Sequence, residues 1–114
     1  MQTFLVLLVL LILLDFPYLS LIASKYVQPL GTRTYVGCFI AYLLLALGIQ
    51  QFALGDPKKA AILGLVIYGV FDSVNMAMIP GYPLDLATVD VVWGSLLLSV
   101  VTYLTSTIQR PSLL

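Results

Sequence analysis

The sequence predicts an all-α membrane protein, with four transmembrane helices packed as one compact up-down bundle. Three observations predict it. Of the 114 residues, 61% are apolar and 9% are charged, whereas a soluble domain is about half apolar and about a quarter charged. The apolar residues fall in four runs, each near the ~20 residues that a spanning helix needs. Short links with Pro, Gly and some of the charges separate the runs. These spans use nearly the whole chain, so a single domain is expected over residues 1–114.

The first span is expected over about residues 3–24. It opens on an unbroken apolar stretch, Phe4 to Leu14, and then carries Asp15, Pro17 and Tyr18. A signal peptide is the competing reading. No Lys or Arg stands at its start, and Leu21 occupies a place where cleavage near Ala23 would want a small residue. The segment is therefore read as a retained span. A link with Pro29 and Gly31 leads to the second span, about 35–54. Cys38 lies in that apolar run and is read as a small packing residue.

Gly55-Asp56-Pro57 then closes one helix and opens the next. Gly suits a helix end, Asp56 can cap, and Pro57 suits a first helical position. The third span is expected over about 58–79. Pro80-Gly81-Tyr82-Pro83 breaks it, and the fourth follows over about 85–107. None of the runs alternates with period two, and each far exceeds the ~10 residues of a barrel strand. Within lipid the backbone must satisfy its own hydrogen bonds, which long apolar runs do as helices.

An even number of spans places both termini on one side. Lys58, Lys59 and Arg110 share that side, against Lys25 and Arg33 on the other, so the termini are expected in the cytoplasm. Tyr26, Tyr35, Tyr82 and Tyr103 fall near span ends, where interfacial aromatics are expected.

All five acids are Asp, and there is no His. Asp56 and Asp85 sit at helix starts, where capping accounts for them. Asp15, Asp72 and Asp90 interrupt apolar runs. An ionisable group at membrane depth costs about 2.5–3.5 kcal/mol on insertion scales, and such groups normally face the bundle interior. Topology puts all three in the half of the membrane opposite the termini. No Lys, Arg or His lies inside a span. At least one acid is therefore expected to hold a proton at neutral pH, or the cluster to hold a cation or water. Lys25 and Arg33 are the side chains that could fold inward as partners.

Helical spacing extends the set. Asp72 and Asn75 share a face, as do Asp90 and Trp93, and Asp15 and Tyr18. Steps of four give the stripe Ala60, Gly64, Tyr68, Asp72, Met76. Gly69, Ser73 and Ala77 form an adjacent small stripe, and Ser95 with Ser99 a small pair, all suited to close helix packing. Pro17 frees the Leu13 carbonyl as a further acceptor and could bend the helix. The candidate ligand- or proton-binding residues are thus Asp15, Tyr18, Tyr68, Asp72, Asn75, Asp90 and Trp93. The plainer reading makes Asn75 and Tyr68 interhelical glue, and Tyr18 and Trp93 packing or interfacial anchors.

Three strings carry a resemblance: Leu14-Asp15-Phe16-Pro17-Tyr18-Leu19; Tyr68-Gly69-Val70-Phe71-Asp72-Ser73-Val74-Asn75-Met76-Ala77; and Tyr82-Pro83 followed by Thr88-Val89-Asp90-Val91-Val92-Trp93-Gly94. In order and spacing they resemble a family of small bacterial membrane proteins, domain-of-unknown-function family 2177, over nearly the whole chain. The resemblance implies four membrane helices and a recurrent Asp, Asp–Asn and Asp–Trp set. It implies no activity. Tyr18 and Tyr82 stand where that pattern usually has Trp, and Val74 where it usually has Thr.

The expected function is binding or transport of a proton, cation or small polar solute at the intramembrane acids. The alternative is a non-catalytic subunit of a larger membrane assembly. An enzyme is disfavoured: there is no His, no Glu, and no metal-ligand or phosphate-loop spacing, which leaves only Asp-based acid/base chemistry on a lipid. No catalytic residue and no cofactor are expected, and whether a metal binds stays open. The expected partners are the lipid bilayer and either a second copy or other membrane subunits. Nucleic acid is excluded by the lack of positive charge.

Overall fold

A computed structural model describes residues 2–21 and 32–109. Four helices follow in chain order: α1 (Gln2–Leu21), α2 (Thr32–Phe52), α3 (Pro57–Met78) and α4 (Leu84–Gln109). Each is long and apolar enough to cross a membrane. Among the described residues there is no strand. The helices begin one to three residues before the expected starts, and α4 runs two residues past its expected end. The expected Lys25 and Tyr26 lie outside the described residues, as does Arg110.

Local chemistry sets the ends. Asp56 caps α3, its carboxylate accepting from the amides of Lys58 at 3.1 Å and Lys59 at 3.2 Å, and Pro57 opens the helix. Gly55 turns the chain out of α2 with φ of 75°, a left-handed conformation that costs glycine little. Asp85 lies inside the first turn of α4 and not at its cap, accepting from the Leu86 amide at 3.0 Å.

The bundle is tightest between α3 and α4. Gly64 faces Gly94: a Cβ on Gly64 would overlap the Gly94 carbonyl and come within 2.9 Å of Ser95 Cα. Ser95 Oγ donates to the Ala61 carbonyl at 2.9 Å across the same seam. This is close packing through small residues, the usual driver of helix association where water is absent. The buried positions of α3 are Ala60, Gly64 and Asp72, which lie on the stripe read in steps of four. The adjacent stripe does not pack. Ser73 and Ala77 are exposed, and a Cβ on Gly69 would touch nothing within 4 Å.

Leu7 and Leu11 of α1, Ala46 and Ile49 of α2, and Leu97, Leu98 and Val101 of α4 form the apolar core, with half-buried Cys38 packed against it. The outward faces carry Leu13, Phe16, Leu44, Phe52, Val70 and Leu96, an exterior suited to acyl chains. Thr3 of α1 donates to Gln109 of α4 at the end that holds the termini. Asp15, Asp72 and Asp90 lie toward the other end.

Candidate functional site

Asp15, Asp72 and Asp90 each lie six residues inside the described end of their helix on the side away from the termini. At 1.5 Å rise per residue that is about 9 Å along the helix. Asp15 is 5% exposed and Asp72 1% exposed, and Asp90 is half-buried.

Asp15 joins three helices. Trp93 of α4 donates its Nε1 to Asp15 Oδ1 at 2.7 Å, and Tyr42 of α2 donates its hydroxyl to Oδ2 at 2.7 Å. Both oxygens are thus engaged. One turn further out on α1, the Tyr18 hydroxyl donates to Asp90 Oδ1 at 3.0 Å. The Tyr18 and Trp93 rings stack, their centroids 5.0 Å apart. Asp90 neighbours Asp72 across the α3–α4 seam.

Asp72 receives one donor. The Tyr82 hydroxyl donates to its Oδ1 at 2.8 Å and accepts from Asn75 Nδ2 at 3.4 Å. Asp72 Oδ2 is buried with no hydrogen-bond partner. The Thr102 and Thr105 hydroxyls share that condition nearer the termini, but an unpaired neutral hydroxyl is far less costly than an unpaired carboxylate. Burial, reinforced by Asp72, pushes the Tyr82 phenol up from its ordinary value, so it remains a donor at physiological pH.

The result is a line of polar groups across one end of the bundle: Tyr42, Asp15, Trp93, Tyr18, Asp90, Asp72, Tyr82, Asn75. Tyr68 contributes its ring, which lies against Gly94 so closely that a Cβ there would overlap it. Asp72 itself lines, with Gly69, Ser73, Met76 and Thr88, a pocket of about 380 Å³ between α3 and α4. Among the described residues no three of His, Cys, Asp and Glu come together as a metal site requires.

Tyr42 and Tyr82 were absent from the sequence-derived set. Tyr42 reaches Asp15 from span two, and a phenol in mid-span is the signal in the sequence that points to it. Tyr82, expected at the interface as an anchor, turns inward to Asp72. Tyr35 and Tyr103 are exposed near helix ends. Arg33 is exposed and does not fold inward. Pro17 and Leu13 both lie on the exposed face of α1, so the expected extra acceptor is on the wrong side of the helix for the acids.

The model of one protein family, described as Predicted membrane protein (DUF2177), matches residues 1–107. No curated protein and no solved structure matches the chain. With nearly the full length matched and four apolar helices in place, the chain belongs to the DUF2177 family of predicted membrane proteins.

Proposed function

We propose that this protein binds a proton reversibly at Asp72 and passes it along the intramembrane acids. The observation that carries this reading is Asp72 Oδ2, a buried carboxyl oxygen without a donor. A bare carboxylate there would lack both water and a counter-charge, which low-dielectric surroundings penalise heavily. A proton removes the charge and supplies the missing hydrogen. The burial of that single oxygen, with no hydrogen-bond partner, favours a proton over a larger cation or polar solute, which would need several ligands. Asp90, next to Asp72, is the natural second station.

Reconstituted vesicles with an internal pH dye test this reading. Native protein is expected to dissipate an imposed pH difference, and Asp72→Asn to slow it at least tenfold. Equal rates in the two would remove the proposal. A narrow four-helix bundle would work most readily as a dimer. The termini, on the side of Lys58 and Lys59, would face the cytoplasm.

A second reading has its own support. Both oxygens of Asp15 are occupied by donors from other helices, the pattern of a structural lock. In that reading the protein is a non-catalytic subunit whose apolar outer faces meet other membrane chains. Native mass spectrometry after gentle extraction discriminates: a larger hetero-assembly favours the subunit, and a lone monomer or homodimer counts against it.

A further inference from the structure

We propose that Tyr82 is the port by which protons pass between the water on the far side and Asp72, which deepens the proton-binding reading above and rests on it. The backbone explains why this residue can do so. The Tyr82 amide donates to the Ile79 carbonyl at 3.2 Å, and Gly81 has φ of 74°. Pro80 and Gly81 thus occupy the central places of a type II turn, which suits Pro first and Gly second. The turn ends at Tyr82 and folds its ring back over the end of α3.

Tyr82 consequently lies outside both helices while its hydroxyl reaches Asp72. It is half-buried, with one part at the surface of the bundle and the other against the acid. Tyr18 and Tyr42 also donate to acids, but they are 6% and 4% exposed, so neither opens a way out. Asp72 itself borders the α3–α4 pocket but is 1% exposed, and its unpartnered oxygen is buried. Asn75 donates to the Tyr82 oxygen, which orients the phenol O–H toward Asp72 and leaves room for one more donor from the water side.

The step balances without any redox partner. The phenol O–H bond breaks as an O–H bond forms on Asp72 Oδ1, and a hydronium ion on the water side gives its proton to the phenol oxygen. Tyr82 is again a neutral phenol, now with its O–H turned to the water side, Asp72 becomes a neutral acid, and water is released. A half-turn of the carboxyl then carries the new O–H to the unpartnered position and lets the phenol donate again. The groups around Asp72 are Asn75 and Tyr68 on α3, Asp90 on α4 and Tyr18 on α1. None of them stands on a link, as Tyr82 does.

The test is hydrogen–deuterium exchange of the Asp72 carboxyl in lipid bilayers, followed by time-resolved infrared absorption and assigned by its loss in Asp72→Asn. Tyr82→Phe keeps the ring and the turn and is expected to slow exchange at least tenfold. Exchange at the native rate overturns the port. Trp93, the single Trp, reports through its emission whether the site is intact. Should Tyr82→Phe perturb that emission, Gly81→Ala displaces the phenol without deleting it; slowed exchange there supports the port, and the native rate overturns it. Absence of any protonated Asp72 band in the native protein overturns the underlying reading instead.

Discussion

Tyr18 and Trp93 lie ring on ring, 11° from parallel, and each sends its polar tip to a different acid: Tyr18 to Asp90 and Trp93 to Asp15. The stack makes one rigid unit from α1 and α4 and fixes two carboxyls at once. Trp93→Phe keeps an aromatic ring, smaller than the indole, and removes the donor to Asp15. It is expected to destabilise the bundle by about 1–2 kcal/mol, the range between interhelical bonds in membranes and bonds to charged groups. Unfolding by a denaturing detergent measures it, and native stability in the variant would show the bond to be idle.

The three acids are chemically unequal, and amides separate them. Asp15→Asn must turn an NH2 toward Tyr42 or Trp93, both donors, and is expected to cost about 1–3 kcal/mol. Asp72→Asn can keep its carbonyl on Tyr82 and place its NH2 where Oδ2 has no donor. Its stability should equal or exceed the native value. The reverse order in the same unfolding assay would contradict the assignment of Asp15 as lock and Asp72 as the proton site.

Two glycines of α3 should respond in opposite directions. Gly64→Ala drives a methyl into the Gly94 backbone, which has no flexible end to yield, and overpacking of this kind costs about 1–3 kcal/mol. Gly69→Ala enters open space and should be neutral, or stabilising by up to about 1 kcal/mol through helix propensity. Equal losses would mean that the α3–α4 seam is looser than described.

The spans, the Asp56 cap and the buried stripe of α3 were legible because each depends on local spacing. Steps of four along α3 found Ala60, Gly64 and Asp72 together. The parallel stripe Gly69, Ser73, Ala77 misled, since small residues permit close approach without requiring it, and only one face of α3 meets α4. Tyr82 was hidden for another reason. Its place beside Asp72 follows from a type II turn that reverses the chain, and a residue outside any helix has no periodicity to read. Tyr42 reaches Asp15 from a helix packed alongside, a relation that no spacing within span two records. Pro17 showed the converse: its local effect on a carbonyl was readable, but the side of α1 on which that carbonyl falls was not.

In the proposed function Asp72 holds an exchangeable proton. Infrared absorption of the bilayer-reconstituted protein at neutral pH, native minus Asp72→Asn, tests it most directly. A protonated-carboxyl band is expected in the native protein and is lost on substitution. A difference spectrum with carboxylate absorption alone would contradict it.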